Sequence, residues 1–278
     1  MNKCRICGQE SNGMTIVAKE MMYENAGQFE YFECPECKCL QITQVPENLG
    51  DFYSSKYYSY QTPKDTKTKA ESKKPYRVLD VGCGAGEHLC AMAANGIESL
   101  TGIDPFIEND IEYENGVKIY KKSIHEMEGE FDIIMLNDSF EHMQDPHEVF
   151  DSLKRLLAPK GTVRMTLPVY PNFAFDAYRE NWYQLDAPRH IILHSPKSLA
   201  TLASKHGLRM AQFVCDSNNS AIFRSFLYRK GITFFNQKPE EIFKYFTKSE
   251  MIDIEKKVAL ANKKGHGDHA TVFFVHNS

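Results

Sequence analysis

The chain has 278 residues, of which 42% are apolar and 25% charged, with a formal net charge of −4. That length holds one full α/β domain with a small appendage, and the composition is that of an ordinary soluble globular protein. The mild acidity supplies no global field for nucleic acid or anionic lipid, and no apolar run approaches the ~18 residues of a membrane span. The N-terminus is polar, with Cys4 and Cys7 where a secretory signal needs an apolar core, so the expected location is cytoplasmic. There, cysteines serve as metal ligands or free thiols rather than disulfides.

Cys4-Arg-Ile-Cys7 and Cys34-Pro-Glu-Cys37 are two C-x-x-C pairs separated by 26 residues. Each pair suits a tight turn whose thiolates converge on one tetrahedral Zn²⁺. Thr15–Ala18 and Phe29–Phe32 between them read as short strands, which makes residues 1–48 a zinc ribbon. Cys39 is a fifth thiol that either substitutes for Cys37 or stands aside. Redox C-x-x-C motifs are the rival reading, but neither pair lies at a helix start in a thioredoxin-like unit. Four thiolates leave no open coordination position, so this zinc is structural rather than catalytic.

Residues 49–76 form an aromatic flap and linker. FYSSKYYSY at 52–60 is either a helix packing Tyr and Phe on the core or a flap whose Tyr57 or Tyr58 covers a ligand. Pro63 to Pro75 is rich in Lys and Thr without apolar periodicity, and reads as a solvated linker.

From residue 77 to 278, strands and helices alternate, as in a doubly wound parallel sheet. The organising stretch is Arg77–Leu89, RVLDVGCGAGEHL. Val78, Leu79 and Val81 read as a buried strand. It ends at Gly82, Cys83, Gly84 and Gly86, and a helix follows from Glu87 to Asn95, whose N-terminus offers free N–H groups. A dinucleotide turn has G-x-G-x-x-G, whereas here the third glycine comes one residue early. A second strand, Ser99–Ile103, ends at Asp104, 18 residues after Gly86, where a carboxylate can take ribose hydroxyls. Further strands are expected at 117–120, 131–136 and 162–167. Ser123-Ile124 follows the third strand, and Asn137-Asp138-Ser139-Phe140-Glu141-His142 follows the fourth. Pro146 opens a helix with an apolar stripe of Val149, Phe150, Leu153, Leu156 and Leu157.

VLDVGCGAGEHL, TGIDP, FDIIMLNDSFEHMQDP and LLAPKGTVRMTLP, in this order and spacing, resemble class I S-adenosylmethionine (SAM) methyltransferases over about residues 75 to 170. The resemblance implies a Rossmann-like seven-stranded, mostly parallel sheet with SAM at the carboxyl ends of the first strands. Asp80, Gly82, Cys83, Gly84 and Gly86 then line the methionine moiety, Asp104 the ribose, and Ser123 and Ile124 the adenine, with Asn137 beside the sulfonium. The family often has Asp where Ser123 stands.

Asn181–His190 is a loop with the only tryptophan, and His194-Ser195-Pro196 follows it, with Ser195 as N-cap of a helix over 196–206. D-x-P-R-H at 186–190 resembles a subgroup of bacterial small-molecule methyltransferases. Zinc-ribbon-bearing sugar C-methyltransferases place a base at the position of His190, and His142 is the rival. Strands at 210–215 and 270–276 bracket a helical stretch. The reading is a SAM-dependent methyltransferase acting on a small metabolite, with a nucleotide-linked sugar or surface-polysaccharide precursor as candidate acceptor. The alternatives are an RNA-binding methyltransferase that captures substrate with its ribbon, and a non-catalytic SAM-binding protein. The lysines of 63–75 lack interleaved aromatics, so nucleic acid is not the expected partner.

Overall fold

The computed structural model describes residues 2–23, 27–53, 58–70, 76–238, 240 and 242–277. An eight-stranded sheet is built from Val78–Val81 (β1), Leu100–Ile103 (β2), Ile111–Glu112 (β3), Lys118–Tyr120 (β4), Phe131–Asn137 (β5), Leu157–Pro168 (β6), Leu208–Cys215 (β7) and His269–His276 (β8). Its order is β7-β8-β6-β5-β1-β2-β4-β3. The central five strands run parallel, while β8 is antiparallel to β6 and β7, and β3 to β4. The seven expected strands are all present. The eighth, β3, is a two-residue edge strand, too short to leave an alternating pattern in the sequence.

Both faces of the sheet are covered. On β5, Ile134 and Leu136 join one apolar cluster while Ile133 and Met135 face the other, and Leu79 and Val78 divide the same way on β1. Glu87–Ala94 (α1) packs Leu89, Cys90 and Ala93 on the second cluster. Pro146–Leu156 (α2) starts with proline at its first turn, where no N–H is needed, and buries Val149, Phe150, Leu153 and Leu156 in the first cluster. Each such side chain contributes about 1.5–3 kcal/mol by leaving water. Phe173–Tyr178 (α3), Pro196–Lys205 (α4), Ser220–Arg229 (α5) and Lys248–Lys263 (α6) complete the main helices. Pro159-Lys160-Gly161, ahead of the strand expected at 162–167, falls inside β6, where the pairing with β5 shifts register.

The N-terminal ribbon forms its own sheet from Thr15–Lys19, Gln28–Glu33 and Leu40–Ile42, and a fourth strand comes from far along the chain. Ile192–Leu193, just after His190, pairs antiparallel with Leu40 and Gln41. Ile6, Tyr31, Leu40 and Ile42 belong to the same buried cluster as Leu136 and Phe150. The described residues of the aromatic stretch include two short 3₁₀ turns, Leu49–Phe52 and Tyr58–Tyr60. The described part of the linker is mostly exposed, but its backbone is pinned where Asn115 N–H donates to Thr66 O and Ala70 N–H to Ala93 O. Among the described residues, no helix is long and apolar enough to cross a membrane.

Candidate active site

The carboxyl ends of β1, β2 and β5 open onto a cavity of about 940 Å³, lined among others by Asp80, Gly82, Cys83, Asp104, Ser123, Ile124 and Asn137. Seven of the expected cofactor-site residues meet here. Asp104 is held by two backbone donors, Gly84 N and Phe106 N, each at 2.9 Å from a carboxylate oxygen. Asp80 is buried, which pushes its carboxyl up to about 7 against the opposing effect of its Asn137 hydrogen bond. The Asn137 amide donates to Asp80 Oδ1 at 3.0 Å, and its oxygen accepts from Arg164 Nη1 at 2.7 Å. Ser123 commits its hydroxyl proton to Glu126, capping the 3₁₀ turn Ile124–Glu126.

Gly84 and Gly86 do not line the cavity. Gly84 has φ +53°, and a Cβ there would come within 2.1 Å of Ser59 O. Its Ala85 neighbour donates its backbone N–H to that same carbonyl at 2.8 Å. The flap, not the ligand alone, therefore demands glycine at 84. Gly86 is the N-cap of α1 at φ +82° and packs on Ile119 of β4. Tyr57 and the side chain of Tyr58 lie outside the described residues. Among its described residues, the flap reaches the cavity through Tyr53, Ser59 and Tyr60. Tyr53 stacks on Phe106 with ring centroids 6.2 Å apart, and it was hidden in the sequence among several equivalent tyrosines.

A second cavity of about 260 Å³ lies next to the first, and both are walled by Asp138 and His142. His190 lines only the second, with Glu141, Gln184, Asp186 and Arg224. The two candidate bases are neighbours, their rings 4.7 Å apart edge to face. His142 Nδ1 is 2.9 Å from Arg189 O, and His190 Nδ1 is 2.7 Å from Gln184 O. A carbonyl only accepts, so His190 Nδ1 carries the proton and its Nε2 presents a lone pair, while His142 Nδ1 also meets the Tyr53 hydroxyl at 3.0 Å. Burial holds His142 down to about 3 and lowers His190 as well, so both are neutral imidazoles near pH 7.

Arg189 is fully buried and holds this loop. Its guanidinium takes both oxygens of Asp186, at 2.9 and 2.5 Å, and Glu20 of the ribbon at 2.9 Å. Across the first cavity, His269 donates Nε2–H to Asp138 at 2.8 Å and Nδ1–H to Asp216 at 2.5 Å. Burial opposes charging, but the two carboxylates raise His269 to about 10 and make it an imidazolium. Asp138 has φ +47°, uncommon for a side-chain-bearing residue, at the point where the two cavities meet.

A family model described as a methyltransferase domain matches residues 56–212, more than half of the chain. The chain belongs to that methyltransferase family. Among curated proteins, ubiquinone biosynthesis O-methyltransferases are similar. That of Pseudomonas aeruginosa is 37% identical over 98 residues, covering 31% of this chain and 42% of the relative. That of Bordetella avium is 35% identical over 99 residues, covering 31% and 40%. The match thus spans about two fifths of the relatives' length. Among solved structures, the YcgJ protein of Bacillus subtilis has a TM-score of 0.46 at 16% identity, covering 75% of this chain and 95% of that one. An O-methyltransferase of Brevibacillus brevis in complex with S-adenosyl-L-homocysteine has a TM-score of 0.43 at 15% identity, covering 72% and 66%.

In this member of the family the ribbon carries a second candidate site. The Sγ atoms of Cys4, Cys7, Cys34 and Cys37 lie within 4.8 Å of one another. Each knuckle closes on a left-handed residue, with Gly8 N–H donating to Cys4 O at 3.0 Å and Lys38 N–H to Cys34 O at 2.9 Å. Ile6 N and Cys37 N point at Cys4 Sγ and Cys34 Sγ, at 3.4 and 3.5 Å. The Sγ–Sγ distances of 3.5 Å for Cys4–Cys37 and Cys7–Cys34 match the ~3.8 Å edge of a tetrahedron with ~2.3 Å bonds. Cys39 Sγ borders the cluster, 3.4 Å from Cys37 and 3.8 Å from Cys4, and receives the Gln41 amide with Cys4.

Proposed function

We propose that this protein transfers a methyl group from SAM to a hydroxyl of a small polar metabolite. The observation that carries the reading is the meeting of a cofactor-sized cavity with a smaller polar one at His142 and Asp138. The residues fit SAM: Asp104 presents a fixed carboxylate to a ribose diol, Ile124 an apolar wall to a purine, and Asp80 and Asn137 polar groups to the amino-acid end. When bound, SAM supplies the reactive sulfonium methyl.

The protein's own work is alignment and proton removal. Gln184, Asp186, His190 and Arg224 give the second cavity a polar lining suited to a hydroxyl-rich acceptor, and Arg224 adds a cation for a phosphate such as that of a nucleotide-linked sugar. His142 at the junction and His190 beside it are the candidate groups for taking the acceptor's proton. The O-methyltransferase names of the curated relatives support an oxygen acceptor. Structural zinc on Cys4, Cys7, Cys34 and Cys37 completes the proposal, and the ribbon's pairing with the His190 loop supports a scaffold role over nucleic-acid capture.

The test is transfer of labelled methyl from SAM to a panel of nucleotide sugars and small hydroxylated metabolites, read by mass spectrometry. Methylated product that falls about 10²–10⁴-fold in His190→Ala or His142→Ala, with SAM affinity retained, supports the reading. SAM binding without product from any acceptor rejects it in favour of a non-catalytic binder. Zinc content read on the purified protein and on Cys34→Ser tests the ribbon.

A further inference from the structure

We propose that Glu141, His142 and His190 form a binding site for a divalent first-row transition-metal ion, which holds the acceptor's oxygen at the mouth of the cofactor cavity. The inference rests on the acceptor reading of the smaller cavity.

Three observations converge on it. The side chains offer one carboxylate oxygen and two imidazole nitrogens, all within 4.8 Å of one another, and all three line the 260 Å³ cavity. His190 Nε2 stands 3.8 Å from Glu141 Oε1, a gap that bonds of about 2.1 Å to a shared ion would draw in by a few tenths of an ångström. Glu141 is fully buried, yet neither of its carboxylate oxygens has a hydrogen-bond partner. A buried carboxylate in that state is costly unless something positive or donating meets it. His190, meanwhile, is oriented as ligands usually are. His190 Nδ1–H is fixed on the carbonyl of Gln184, which leaves its Nε2 lone pair facing Glu141, and His142 Nδ1 is held between Arg189 O and the Tyr53 hydroxyl, at 2.9 and 3.0 Å.

The backbone keeps the three together independently of an ion. Ile191 N–H donates to Glu141 O at 2.8 Å, clamping the turn that carries Glu141 and His142 beside the loop that carries His190. A donor set of two neutral imidazoles and one carboxylate favours manganese through zinc over magnesium or calcium, and three protein ligands leave positions open for substrate. A hydroxyl bound there loses its proton to water more readily, because the cation stabilises the alkoxide. The oxygen then stays on the metal until the methyl arrives, and the imidazoles assist the proton's loss as ligands of that ion.

Cobalt(II) is the probe. Full-length protein with zinc already in its ribbon is titrated with Co²⁺, and both calorimetry and the visible spectrum are followed. The expected result is one further equivalent, with bands of nitrogen and oxygen ligation and without intense thiolate-to-cobalt bands. Glu141→Gln, nearly isosteric, should weaken that binding at least 10-fold, and His190→Asn likewise. Should Glu141→Gln fail to fold, His190→Asn alone decides. No equivalent beyond the thiolate site, or Co²⁺ binding unchanged in both variants, overturns the proposal. Full-rate methyl transfer by protein stripped of all but ribbon zinc also overturns it, yet leaves the methyltransferase reading standing. Site-specific Co²⁺ binding with no acceptor ever methylated supports the metal site and sinks the acceptor reading instead.

Discussion

Tyr31, in the ribbon, donates its hydroxyl to the backbone carbonyl of His190 at 2.9 Å, across 159 positions of sequence. Both residues are buried. The cysteine-bearing ribbon thus sets the backbone of the loop that carries a candidate active-site histidine. Ser195 reinforces this by donating to Cys37 O, and Ile192–Leu193 by completing the ribbon sheet.

Tyr31→Phe is therefore expected to impair methyl transfer although it removes one oxygen from outside both cavities. It leaves the His190 carbonyl buried without its donor, at about 1–3 kcal/mol. Turnover should fall while SAM affinity, measured by calorimetry, stays within about two-fold. Equal losses in both would show a global rather than a loop effect.

Arg189→Met should be among the most damaging single changes. It takes the guanidinium away from the buried carboxylates of Glu20 and Asp186, and breaking a buried ion pair in this way costs about 3–5 kcal/mol. Chemical denaturation of the variant measures the loss. A change below about 1 kcal/mol would mean that solvent reaches the pair.

Gly84→Val should abolish binding of SAM and of S-adenosylhomocysteine. The added side chain meets Ser59 O at a backbone angle unfavourable for valine, so the flap must leave the cradle and the Asp104 contact from Gly84 N must shift. Calorimetry reads the loss. Wild-type protein should show no tight NAD binding in the same assay, since the glycine spacing is not that of a dinucleotide turn.

His269 gives a pH signature. Its pKa is raised from the usual histidine value to about 10 by Asp138 and Asp216, with burial opposing. A raised folded-state pKa means the stabilisation is complete below about pH 6.5 and fades as pH rises toward about 10. Denaturation of wild type and His269→Gln should show a stability gap near pH 6 that closes by about pH 10.5. A gap of equal size at both pH values would assign the contribution to packing rather than to the ion pairs.

Much of the cofactor cradle was legible because its signals are local. Val78–Val81, the glycines and Asp104 lie within one strand–turn–helix–strand unit, and their spacing alone excludes the dinucleotide turn. Asn137 was likewise readable from its place at the end of β5. The flap was not. Tyr53 and Tyr60 reach the cavity, and no periodicity distinguishes tyrosines around the short 3₁₀ turns at 49–52 and 58–60. Glu141 was seen beside His142 but given no role, because its isolation appears only once the loop bearing His190 folds over it. The His269 link to Asp138 and Asp216 joins the final strand to the middle of the sheet, a pairing that long sequence separation conceals.

The fourth strand of the ribbon sheet also sets an order of events during synthesis. The hairpin Thr15–Lys19 with Gln28–Glu33 involves only near neighbours and forms on the microsecond scale once it leaves the ribosome. Its outer edge at Leu40–Ile42 must then wait for Ile192–Leu193, 150 positions later. At about 5–20 residues per second, that is roughly 8–30 s during which an apolar strand edge stays unpaired. Metal capture by the four N-terminal cysteines needs none of the later chain, so it can hold the nascent module compact through that interval. Zinc starvation should accordingly show itself as aggregation of newly made chains, while mature molecules, whose edge is already covered, remain unaffected.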